Sequence, residues 1–143
     1  MIKHLVATSL TVTVASVAVF SNNSSAYANQ YCQCVGYVKN VLRISQPMGN
    51  AKDMINSLPK YGFRRTSPTP GAVVVMQPSF PGADRTYGHV GFVDSFDPKT
   101  GKIKVRGANQ GGNTRVDAGC RNVSVVNFGT SVVNRGDISF WSR

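Results

Sequence analysis

The sequence has no glutamate, and all 6 of its acidic residues are aspartates. A glycosidase would have to assemble its carboxyl pair, one member with a raised pKa, from Asp53, Asp84, Asp94, Asp97, Asp117 and Asp137 alone. Histidine is nearly missing too: of His4 and His89, only His89 lies beyond the N-terminal apolar segment. No H-E-x-x-H or comparable spacing is present, which argues against zinc amidases and metallopeptidases, since their metal needs two or three converging ligands. Internal repeats and long low-complexity tracts are absent, and after residue 20 no apolar run is long enough to cross a bilayer. What survives these exclusions is cysteine chemistry, with three cysteines, Cys32, Cys34 and Cys120, and one histidine to act as base. No metal and no cofactor is expected.

Lys3 and His4 precede an apolar stretch over residues 5–20, then a polar run and Ala26-Tyr27-Ala28. That order reads as a secretory signal peptide, residues 1–28, cleaved after Ala28 by the A-x-A rule. A membrane anchor fits less well, because the stretch falls short of about 20 apolar residues and carries Thr8, Ser9, Thr11, Thr13 and Ser16. Residues 29–143 then make one modest domain. It is expected to be a monomer, secreted, periplasmic or wall-associated, with no stable membrane insertion. Basic residues outnumber acidic ones 16 to 6, a net charge of +10 that loss of Lys3 lowers by one. Such a charge suits an anionic partner. Nucleic acid is not expected for an exported chain without a basic helix or interleaved aromatics; acidic wall polymers or lipid headgroups fit better, and solubility alone is the plain alternative.

Residues 34–44 carry a helical stripe of Cys34, Val38, Val41 and Leu42, with Lys39, Asn40 and Arg43 turned away. A second short helix fits residues 51–58, with Asn50 as N-cap, Met54, Ile55 and Leu58 inward, and Pro59 then Gly62 as its stop. Residues 64–71 are rich in Pro, Thr and Ser and read as loop, and residues 72–76 as a buried strand. Residues 88–96 alternate, Asp97-Pro98-Lys99-Thr100-Gly101 supplies a turn, and residues 102–109 alternate again, which predicts a β-hairpin. His89, Gly91, Val93 and Ser95 share a face of the first strand, and Ile103, Val105, Gly107 and Asn109 the apolar face of the second. With Ser95 opposite Ile103, Val93 meets Val105 and His89 meets Asn109, Cβ atoms about 5 Å apart. A bulge at Gly101 would shift this by one. Further strands are expected over residues 122–128, 131–133 and 137–141. Helices first and strands after argue for an α+β fold, helices packed on an antiparallel sheet.

Amide cleavage by cysteine needs a thiolate, an imidazole in reach, a group to hold the imidazole, and donors for the oxyanion. Cys34 opens a helix, where the dipole and free N–H groups lower a thiol pKa. His89 can take its proton, and Asn109 across the hairpin can accept from the ring and fix its tautomer. The Cys34 N–H is the natural first oxyanion donor, with Gln30 or Gln33 as candidates for the second. Each residue has a plain alternative: Cys34 as a small buried residue or half a disulfide, His89 as a satisfied strand residue, Asn109 as a turn former.

Cys34-Val35-Gly36-Tyr37-Val38 resembles the nucleophile motif C-x-x-Y-V of the CHAP domain, the cysteine, histidine-dependent amidohydrolase/peptidase family. Gly49-Asn50-Ala51 is similar to its middle G-N-A, Gly71-Ala72-Val73-Val74-Val75 to the strand leading to the site, and Tyr87-Gly88-His89-Val90-Gly91-Phe92-Val93 to its histidine strand. Residues 105–110 occupy the third-member position. The resemblance spans nearly all of residues 29–143 and implies a papain-like α+β fold, nucleophile chemistry without a metal, and amidase or endopeptidase action on peptidoglycan. Two departures stand out. Many relatives have an acidic residue near the third position, where Arg106-Gly107-Ala108 brings none, and many have an aromatic residue where this chain has Gly36. A non-catalytic, cationic wall-binding protein on the same scaffold is the alternative function, and a peptidase acting on other proteins a third.

An odd cysteine count in an oxidising compartment leaves one thiol unpaired if a bridge forms. If Cys34 stays free as nucleophile, Cys32 is the one to pair with Cys120; the other outcome is that all three remain reduced.

Overall fold

The computed structural model describes residues 32–112, 120–129, 131, 132 and 134–143. The expected leader, Gln30, Asp117 and Val133 lie outside them. Helix α1 (Cys34–Leu42) comes first, followed by α2 (Met54–Ser57) between two 3₁₀ turns, Ala51–Asp53 and Leu58–Tyr61. Six strands follow: β1 (Arg64–Thr66), β2 (Val73–Met76), β3 (His89–Asp97), β4 (Lys102–Ala108), β5 (Val123–Asn127) and β6 (Ile138–Ser142). They form one sheet in the order β1-β6-β2-β3-β4-β5, each neighbouring pair antiparallel. The expected α+β architecture, helices packed on an antiparallel sheet, is the one observed.

Burial follows from the sheet being covered on both faces. Val73 and Val75 of β2 join Val38, Met54, Leu58, Val90 and Trp141 on the helical side, while Val74 and Met76 join Phe80, Val93, Ile103, Val105 and Phe140 on the other. That is why β2 is apolar at every position rather than at alternate ones. On α1 the buried face is rotated toward Val35. Val38 is fully enclosed and Val35 and Leu42 are partly so, but Val41, expected inside, is 51% exposed. Cys34 therefore sits at the rim of that face, half-buried.

Several boundaries differ from expectation for local reasons. Helix α1 stops at Leu42 because Arg43 turns left-handed, with φ 56°, and the N–H of Ile44 returns to the carbonyl of Lys39, which tucks Ile44 into the core. The second helical segment passes Pro59, tolerated at the start of its last turn, and ends at Gly62 with φ 81°. Residues 64–66, expected as loop, pair with β6, Arg65 opposite Trp141. Ser131 and Val132 are not in a strand; Val132 is apolar because it is buried beneath the hairpin turn, its N–H bonded to the Gly101 carbonyl.

In the β3–β4 hairpin Val93 faces Val105 as expected, but the register shift lies between Val93 and Ser95 and not at Gly101. Ser95 thus faces Lys104, and Phe96 faces Ile103. Asp94 is the extra residue; its carboxylate swings out to pair with Arg106. On the His89 side of the shift the predicted register holds as far as Phe92 opposite Arg106, and β4 ends at Ala108, before Asn109.

Candidate active site

His89 begins β3, and Gly88 before it is required to be glycine. Its φ is +74°, and a Cβ there would stand 2.4 Å from the Met76 carbonyl oxygen. The loop leading in is fastened at both ends. Gly88 N–H bonds to the Asp84 carbonyl at 2.9 Å, and the Lys52 backbone N–H to the Tyr87 carbonyl at 2.9 Å. Lys52 follows the Gly49-Asn50-Ala51 segment, so those residues act on the site by holding the loop that delivers His89. Gly49 has φ +77° and leaves room for Asp53, whose carboxylate accepts the Asn50 N–H at 3.0 Å.

The His89 ring is buried, 6% exposed, and lies 6.0 Å from the Phe128 ring, centroid to centroid. Its Nε2 meets Oε1 of Gln110 at 2.8 Å. The direction of that bond is fixed by the rest of the amide, because Gln110 Nε2 donates to the carbonyls of Val105 and Ser124 at 2.8 Å each. Oε1 must then be the atom toward the ring, and His89 Nε2–H the donor. Nδ1 is left with a free lone pair. Asn109, expected to hold the ring, does not. It adopts φ 55° at the end of β4, so the strand alternation stops there and the next side chain, Gln110, turns inward while Asn109 remains on the cleft wall. Sequence reasoning missed Gln110. The run Asn109-Gln110-Gly111-Gly112 carried the signal of a turn, at which face-counting ceases to hold.

Cys34 and His89 line one cleft of about 580 Å³ together with Gln33, Asp84, Asn109 and Phe128. A second cavity of about 410 Å³ continues on the far side of Cys34, between Gln33, Asn50 and Tyr87. Cys32 is bonded to Cys120, as expected, which leaves Cys34 as the free thiol of the three. The charge state of that thiol differs from the helix-dipole expectation. Burial pushes its pKa up; backbone N–H groups of Val90, Val35 and Cys34 itself oppose this but lose, and the negative charge of Asp84 adds to the rise. Burial also pushes the His89 pKa down, offset in part by Gln110. Each shift favours the neutral form of its group. Gln33 flanks the thiol in both cavities, while Gln30 lies outside the described residues. Among the described residues no three His, Cys or Asp side chains converge as a metal site, and no helix is long and apolar enough to cross a membrane.

A helix that presents a free cysteine against an antiparallel sheet bearing an amide-held histidine is the arrangement of a papain-like α+β scaffold. The chain belongs to the CHAP domain family, whose model matches residues 22–109. None of the curated proteins matches the sequence. Among solved structures it is similar to an N-acetylmuramoyl-L-alanine amidase from Staphylococcus aureus, with a TM-score of 0.55 and 25% identity over 77% of this chain. The match spans 30% of that amidase chain.

Proposed function

We propose that the protein is exported through a leader at residues 1–28 and that residues 29–143 act as a monomeric cysteine hydrolase on amide bonds of bacterial peptidoglycan. The observation that carries this reading is that the one cysteine left free by the disulfide shares a cleft with a histidine whose Nδ1 is available as base. Cys34 Sγ adds to the scissile carbonyl carbon as its proton passes to His89 Nδ1, and the carbonyl electron pair collects on oxygen. Collapse of the oxyanion breaks the C–N bond, and the amine leaves with the proton held by His89. Water, activated by His89, then hydrolyses the thioester and restores the thiol. The backbone N–H of Cys34 is the first oxyanion donor and Gln33 the candidate second. Gln110 holds the ring, and Asn109 forms cleft wall. Membership of the CHAP family and likeness to an amidase support the substrate class.

Incubation with purified sacculi should release new amino groups at a rate that Cys34→Ala abolishes. A wild-type rate equal to that of Cys34→Ala would remove the enzyme reading. The raised pKa of the thiol and the neutral amide of Gln110 on His89 Nε2 favour, as a second reading, a cationic wall-binding protein; salt-sensitive binding to sacculi without turnover would be its mark.

A further inference from the structure

Acidic groups are scarce in this chain, and most of those in the described residues are engaged. Asp94 pairs with Arg106 and Asp137 with Arg135. Asp53 accepts the Asn50 N–H, and Asp97 is held in its own turn beside Lys102. Asp84 is the one that lines the cleft with Cys34 and His89. Its Oδ1 accepts the backbone N–H groups of Thr86 and Tyr87, both at 2.8 Å, which fixes the direction of the carboxylate and keeps it ionised. The described hydrogen bonds at this group all use Oδ1, and no Lys or Arg among the described residues forms an ion pair with it. Its charge nonetheless reaches the Cys34 thiol. Beside it Tyr87, 56% exposed, borders both arms of the cleft.

We propose that Asp84, with the Tyr87 ring, forms a subsite for a protonated primary amine of the substrate, carried within one or two residues of the scissile amide. The proposal rests on the reading of the cleft as a peptidoglycan amide hydrolase and narrows its substrates to peptides with a free amine near the cut. A fixed, exposed carboxylate that shares its cleft with an exposed tyrosine suits an ammonium, which gains from the charge and from a ring within the same cleft. Exposure keeps the gain modest, at about three- to five-fold in affinity.

The competing role for Asp84 is to form the turn and nothing more. Asp84→Asn separates the two, because the amide oxygen can still accept from Thr86 and Tyr87 while the charge is gone. Muropeptides with the amine free, N-acetylated or N-dimethylated are titrated calorimetrically into Cys34→Ala, the dimethyl form keeping the charge at added bulk. The free and dimethylated ligands should bind about three- to five-fold tighter than the acetylated one. That preference should vanish in Cys34→Ala/Asp84→Asn with unchanged thermal stability. Equal binding of all three ligands, no measurable binding of any, or a preference that survives Asp84→Asn overturns the subsite. Turnover of sacculi by the Cys34 protein is scored separately. Preference without turnover sinks the hydrolase reading and spares the subsite; turnover without preference does the reverse.

Discussion

Gln110 has both amide hydrogens committed to main-chain carbonyls, and its oxygen is therefore held still for His89. A neutral amide in this position orients the ring without stabilising an imidazolium as a carboxylate would. Gln110→Ala should lower kcat by about 100-fold through misplacement of the ring. It should also destabilise the fold by roughly 1–3 kcal/mol, because the carbonyls of Val105 and Ser124 lose their buried donor. Asn109→Ala, in contrast, should leave kcat within a few-fold; an equal loss in both variants would return the orienting role to Asn109. The pH dependence follows from the two shifts. With the thiol raised and the ring lowered, thiolate accumulates only above the ordinary cysteine range, so Cys34 alkylation by iodoacetamide should climb into alkaline pH. A rate already level in mildly acid solution would show a resting thiolate–imidazolium pair instead. Asp84→Asn should move the alkylation profile to lower pH, since removing a negative charge favours the thiolate.

At the scale of elements, the hairpin is where local pattern and tertiary structure agree most closely. Alternation over residues 103–108 predicts the Val93–Val105 pairing because β4 buries one face, Ile103 and Val105 inward and Lys102, Lys104 and Arg106 outward, which makes register costly to change. Gly91 shows how tightly that pairing is packed. A Cβ there would come within 2.7 Å of both the Arg106 carbonyl oxygen and a Val105 methyl, with no left-handed backbone to share the blame. Gly91→Ala should therefore cost roughly 1–3 kcal/mol, read as a lowered melting temperature, while the exposed Gly136→Ala should cost much less. The parts that sequence did not give away depend on partners far along the chain. Strand β1 looks like a polar loop because its ladder is supplied by β6, and Val132 looks like a strand because burial alone makes a residue apolar. The bulge at Asp94 and the left-handed Asn109 are single-residue events, which periodicity cannot locate. For the site, Cys34 and His89 could be read from a helix start and a strand start. Gln110 lay one residue past the point where face-counting fails.

At the scale of the molecule, the Cys32–Cys120 bond ties the approach to α1 to the segment before β5, across a sequence separation of 88. Such a closure stabilises by about 2–4 kcal/mol. Cys32→Ser/Cys120→Ser should melt at lower temperature yet keep turnover in the cold, and alkylation of the non-reduced wild type should label Cys34 alone. Label on Cys32 or Cys120 would contradict the bond. A different consequence follows from the place of β6, the last of the described strands but an interior one in the sheet, seated between β1 and β2. Until residues 138–142 are made, β1 has nothing to pair with, β2 has one bare edge, and Phe140 and Trp141 are missing from the core. A partly synthesised chain is thus denied its native sheet, and the pairings that complete it are long-range and slow. Under the export proposed above, that delay would be protective: the strand that locks the sheet is made after the other described strands, so the cleft of Cys34 and His89 would come together only after residues 138–142 had been delivered.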